Sequence, residues 1–152
     1  MKRILAVAAV VGCVLSFGSN ARDLTQAEIT AVENAVRDEM KDPDAAKFYH
    51  GDFPKTKTNS LYCGMVNGKN SYGGYTGKKL FSVFIIEKDE GGVGALSMDR
   101  NMESGESLSQ NVISASCAGA GYPTKVKKIF VEKVNKKREK NGLPALTKAQ
   151  IE

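Results

Sequence analysis

The chain has 152 residues, 22 basic against 17 acidic side chains, and one histidine, His50. That length supports a single modest core, and one histidine leaves little for the triads and histidine-based metal sites of many hydrolases. The formal charge of +5 is concentrated: Lys125, Lys127, Lys128, Lys133, Lys136, Lys137, Arg138 and Lys140 face only Glu132 and Glu139 within one short segment.

Met1-Lys2-Arg3 is a basic start, residues 4–15 are apolar apart from the interruption at Gly12, and Ser19-Asn20-Ala21 offers small residues where a signal peptidase reads. The pattern predicts a cleavable signal peptide over residues 1–21 and a periplasmic or secreted domain over residues 22–152. The apolar run is shorter than the roughly 20 residues a spanning helix needs, so no transmembrane helix is expected in the mature chain. Val10-Val11-Gly12-Cys13 also resembles the box before a lipid-modified cysteine, which would anchor the protein through Cys13. A very short signal and the apolar Val14-Leu15 just beyond that cysteine count against the anchor. The mature chain keeps Cys63 and Cys117, and an even count in an exported protein predicts a disulfide over a reactive thiol.

Thr25-Gln26-Ala27-Glu28 reads as a capping box, with Ile29, Val32, Ala35, Val36 and Met40 following at helical spacing. A first helix is expected over residues 25–41, with Glu33 and Arg37 paired outside, ended by Asp42-Pro43. A strand is expected over 47–53, a polar link over 54–59, and an alternating strand over 61–66. Residues 67–77, rich in glycine and carrying Tyr72 and Tyr75, read as an extended loop or a bulged strand. Residues 80–86 are apolar on both faces, which predicts a central strand covered on each side. Asp89-Glu90-Gly91-Gly92 supplies hairpin chemistry, returning residues 93–98 antiparallel. Helices are expected over 104–118, where Cys117 would staple the helix to the strand carrying Cys63, and over about 124–141, stopping at Asn141-Gly142. A further turn is expected at 147–150. The order predicts an α+β fold: an N-terminal helix, a three- to four-stranded antiparallel sheet, two C-terminal helices and one disulfide.

Asp42-Pro43-Asp44-Ala45-Ala46-Lys47-Phe48, Cys63-Gly64-Met65-Val66-Asn67 and Lys69-Asn70-Ser71-Tyr72-Gly73-Gly74-Tyr75-Thr76-Gly77 together resemble a family of small exported proteins found in proteobacterial genomes, phages and plasmids. The resemblance covers about residues 42–87 and carries no catalytic residue. It implies a bacterial, periplasmic setting and, for a phage or plasmid gene, a role in exclusion, lysis control or conjugation.

His50 beside Tyr49 and Asp52 has the makings of a general base for a small hydrolase, and paired with a reduced Cys63 of a nucleophile; a structural histidine on a half-exposed strand is the simpler account. Gly77-Lys78 fails as a phosphate loop, because Tyr72 and Lys79 stand where glycine and serine or threonine are required. Glu87, Asp89 and Glu90 lack the spacing of a calcium loop. No metal site and no cofactor are therefore expected.

Two surfaces remain. In residues 67–77, Asn70, Tyr72 and Tyr75 offer hydrogen bonding and flat contact area beside an approachable backbone. In the last helix, Val126, Ile129, Phe130 and Val134 form an apolar stripe, after which Lys136, Lys137, Arg138 and Lys140 are expected to project into solvent. The first surface points to a non-enzymatic module that binds or inhibits another envelope protein. The second points to anionic lipid or nucleic acid.

Overall fold

The computed structural model describes residues 21–57, 60–89 and 91–152. The predicted signal peptide lies outside these residues except for Ala21, and so does Cys13. A short β1 (Ala21–Arg22) leads to α1 (Gln26–Arg37), whose capping box forms as expected: Thr25 Oγ1 accepts the Glu28 amide and the Glu28 carboxylate accepts the Thr25 amide. Glu28 also receives both Nη atoms of Arg22 at 2.6 and 2.8 Å, tying β1 to the start of α1. The guanidinium and the amide hold the Glu28 carboxyl at about 2, well below its ordinary range. Glu33 and Arg37 pair on the outer side, as their i,i+4 spacing predicts. The helix stops at Arg37, short of the expected residue 41.

The extended segment expected at 47–53 is two strands with different partners. β2 (Lys47–Tyr49) joins the main sheet, whereas β3 (Phe53–Pro54) pairs with β1. The break lies at His50 and Gly51, where the Gly51 amide donates to the Tyr62 hydroxyl instead of continuing a ladder. β4 (Leu61–Asn67), β5 (Lys79–Glu87) and β6 (Val93–Ser97) complete a four-stranded antiparallel sheet in the order β2-β4-β5-β6. Register places Tyr62 opposite Val83 and Gly64 opposite Phe81 on one face, and Leu61 opposite Phe84 and Cys63 opposite Ser82 on the other. Leu61, Tyr62, Cys63, Phe81, Ser82 and Val83 are all buried, so the middle of the sheet is covered on both sides. The far end of β5 opens to solvent at Ile86. Gly64 is required by packing: a Cβ there would meet the Phe81 ring at 2.6 Å.

Helix α1 packs on β5 and β6 through Val32 and Val36, while α2 (Gln110–Gly119) packs on β4 and β5. Cys117 of α2 is bonded to Cys63 of β4, the pairing expected from the sequence. The start of α2 differs from the expected residue 104. Asn101 instead organises a turn, with Oδ1 accepting the amides of Glu103 and Ser104, and Arg100 bridges to Ser107. Gln110 then binds both the amide and the carbonyl of Leu80, standing in for a strand partner at the sheet edge.

The last helix also begins later than expected. Residues 125–127 are extended, and Val126 bridges to Ile151 in parallel. A 3-10 turn (Lys128–Phe130) feeds α3 (Val131–Lys140), which stops at the expected Asn141-Gly142. Thr147 caps a final turn over Lys148–Gln150. Val126, Val134 and Leu146 form a second cluster with Ala115 and Ala118 of α2.

Candidate functional site

Residues 67–77 fold into a compact hairpin extension between β4 and β5. Asn70 is its organiser: its backbone amide donates to Gly74 O at 2.8 Å, and its Oδ1 accepts the amides of Tyr72 and Gly74 at 3.0 Å each. Gly73 takes φ of 81°, a conformation that a side chain would strain. Thr76 bonds Gly68 O, Asn67 Oδ1 accepts the Gly77 amide, and Lys41 Nζ donates to Ser71 Oγ, linking the loop to the segment after α1. The side-chain oxygen of Asn70 is thus committed to its own loop's backbone.

The two tyrosines fare differently. Tyr72 sits at the turn with 97% of its surface exposed, and no other side chain supports it. Tyr75 lies back along the loop, donating its hydroxyl to Ala45 O at 3.2 Å, with Lys47 Nζ 4.5 Å and Lys69 Nζ 5.5 Å from its ring centre. Lys78 stands 3.8 Å over Tyr49 of β2 in the same way. Among the described residues none of these three lysines has a carboxylate within ion-pair distance. The result is an aromatic surface in which the Tyr75 and Tyr49 rings carry cations against their faces while Tyr72 stands free. Lys47, Lys69, Lys78 and Tyr49 were missed in the sequence because strand pairing, not spacing, brings them to the loop.

On its other side the loop walls a groove of about 520 Å³, completed by the end of α1 and the segment before α2. Asn70, Ser71 and Lys69 line it, as do Lys41, Lys79, Glu39 and Asp99. Asp99 Oδ1 accepts both the amide (2.9 Å) and the hydroxyl (2.7 Å) of Ser82. Burial pushes the Asp99 carboxyl up to about 6, against the Ser82 hydrogen bonds that pull it down. A carboxyl raised in the folded state stabilises the fold fully below its unfolded value near 4, and that contribution is lost as pH rises through about 6. Asp99→Asn is expected to remove this part of the pH dependence, worth on the order of 2–3 kcal/mol between about pH 4 and 7. Urea midpoints of both proteins across that range test it; parallel profiles refute it.

His50 is engaged at both ring nitrogens, Nδ1 with Tyr62 Oη at 3.0 Å and Nε2 with Glu33 Oε1 at 3.1 Å, and its ring stacks on Phe48. The arrangement that satisfies every group has Nε2–H donating to Glu33 and the Tyr62 hydroxyl donating to Nδ1. Tyr62 is buried, and desolvation raises its phenol, so it keeps its proton. The histidine links α1 to β4, and Cys63 is held in the disulfide.

The basic helix departs most from expectation. Its final turns do not project: Arg138 is 6% exposed, donating from Nε to Pro144 O and from Nη1 to Ala118 O, both at 2.6 Å. Asn141 Nδ2 donates to Gly119 O, and the Lys137 stem lies along Gly119, with burial and then Lys133 lowering its ammonium. The carbonyls that end α2 lack partners in the α-helical ladder, Ala118 O taking only a 3.2 Å bond from the Gly121 amide, and they attract these donors. Ile129, expected to pack, is instead 83% exposed, because the chain enters α3 through the 3-10 turn. Lys136, Lys137 and Lys140 remain on the surface as expected, Lys137 with its stem laid against the domain.

Fold and site together define an α+β protein cross-linked by one disulfide and carrying a rigid tyrosine-bearing loop. No protein family, curated protein or solved structure matches the chain. Among the described residues no helix is long and apolar enough to cross a membrane, and no cluster of histidine, cysteine and carboxylate side chains is arranged to hold a metal.

Proposed function

We propose that the protein is a non-enzymatic periplasmic binding or inhibitor module that engages another envelope protein through residues 67–77. The observation that carries this reading is Tyr72, a large aromatic side chain held almost wholly in solvent on a loop whose backbone Asn70 fixes. An amphipathic ring on a pre-ordered loop loses little conformational entropy on binding, which is why tyrosines dominate contact hot spots. The uncompensated Lys47, Lys69 and Lys78 favour a partner with acidic groups around an aromatic-binding pocket. The hydroxyl that His50 engages belongs to Tyr62, which is fully buried and out of a substrate's reach, and this favours a binding role over a hydrolytic one. The periplasmic setting rests on the leader pattern, the family resemblance and the disulfide.

A photo-crosslinker placed at position 71 is expected to yield one adduct of defined mass from periplasm. Tyr72→Ala should weaken capture by about 2 kcal/mol or more, near thirtyfold, while changing stability by less than about 0.5 kcal/mol. Tyr75→Ala should weaken capture and also lower stability by about 1 kcal/mol, through loss of the bond to Ala45 O. Undiminished capture by both variants refutes the reading.

A further inference from the structure

We infer that the face formed by Ile129 and the exposed lysines of α3 docks the protein on a bilayer surface containing anionic lipids. Lys133, Lys136 and Lys140 follow the i, i+3, i+7 spacing of one face of α3, and Ile129 precedes them in the 3-10 turn that leads into the helix. The opposite face is spent on the domain through Val134, Arg138 and Asn141. Because α3 is clamped along α2 by Arg138 and Asn141, the lysines form a fixed array and not a loose tail. Lys128, Lys133, Lys136 and Lys140 have no carboxylate within ion-pair distance among the described residues. Glu132 lies four residues from both Lys128 and Lys136, and Glu139 three from Lys136, so the two acids border the array on one flank without reaching ion-pair distance.

An array of cations alone would suit any polyanion, and two observations select a lipid surface. First, an apolar residue leads the array: Ile129 is 83% exposed beside Lys128. The next residue, Phe130, lines an apolar cleft of about 210 Å³ between α2 and α3, together with Val112, Ala115, Val134, Lys133 and Lys137. Burying an aliphatic side chain among acyl chains adds to headgroup attraction, whereas a phosphate backbone in water offers it nothing. Second, the segment's one arginine, the residue best suited to grip phosphates and base edges, is buried, and no aromatic ring is fully exposed there for bases to stack on.

The chain has no tryptophan, so Ile129→Trp provides a lone fluorescent reporter. The full mature chain is expected to co-sediment with phosphatidylcholine vesicles containing phosphatidylglycerol, but not with phosphatidylcholine alone, and to be released by added salt. The combined Lys133→Gln, Lys136→Gln, Lys140→Gln variant should lose about a hundredfold in affinity, each lysine near a surface being worth roughly fivefold. The reporter's emission should shift to the blue on vesicle addition. If the triple variant unfolds, as judged by its urea midpoint, Ile129→Ser replaces it and is expected to weaken binding several-fold. Failure to bind anionic vesicles at low salt, binding that survives the substitutions, or preferential binding of duplex DNA with the reporter unmoved would overturn the inference. Tyr72→Ala should leave vesicle binding unchanged, since this surface does not depend on the tyrosine loop; loss of binding there would also overturn it.

Discussion

Replacing Cys63 and Cys117 together by alanine is expected to lower stability by about 4 kcal/mol. The bond joins residues 54 apart, and closing a loop of that length removes about this much entropy from the unfolded chain. For a protein of this size the melting temperature should fall by on the order of 15 °C. Both sulfurs are enclosed, Cys117 completely, at the point where α2 meets β4. The cross-link therefore also fixes the helix that α3 is built upon. Urea unfolding of the double variant, and of the native protein with and without reductant, measures the effect. A shift below about 1 kcal/mol would mean that the unfolded state is already compact around this contact.

Arg138→Ala is expected to cost about 3 kcal/mol, although a basic residue near the end of a lysine-rich helix reads as a surface position. Truncation removes the buried donor to Ala118 O, which keeps only the Gly121 amide at 3.2 Å, the donor to Pro144 O, and the packing of the buried arginine stem. Arg138→Lys should recover little, because a single ammonium cannot reach both acceptors with the fork geometry of a guanidinium. Lys136→Ala, two residues away on the exposed face, should change stability by less than about 0.5 kcal/mol. Thermal unfolding of the three variants separates the positions; equal small effects would place Arg138 in solvent. Burial lowers the Arg138 pKa, and its two carbonyl acceptors offset part of the cost of holding that charge inside.

Much of the fold was legible because local chemistry and tertiary structure agree. The Thr25 capping box, the β5–β6 hairpin, the Glu33–Arg37 pair and the Asn141-Gly142 stop depend on residues within a few positions of one another. Starts and breaks were harder. The entry to α2 moved from residue 104 to Gln110 because Asn101 prefers to bond nearby amides, a competition that periodicity does not register. Residues 47–53 split because the Tyr62 hydroxyl, distant in sequence, claims the Gly51 amide.

The candidate site divides the same way. Sequence singled out Asn70, Tyr72 and Tyr75 from composition alone, but which tyrosine is free and which is anchored depends on Ala45 and on Lys47 and Lys69, placed by strand pairing. Asp99 carried no signal, since its raised carboxyl follows from burial against Ser82.

By itself the sequence determined the α+β class and the order of elements, because caps, turns and alternation act locally, and it singled out the Cys63–Cys117 pairing once Cys13 was read as part of a leader. Only the tertiary structure decided which charges of the basic segment face water. Helical spacing says which side chains share a face, but the carbonyls at the end of α2 drew Arg138 and Asn141 inward, and the 3-10 entry to α3 left Ile129 facing out.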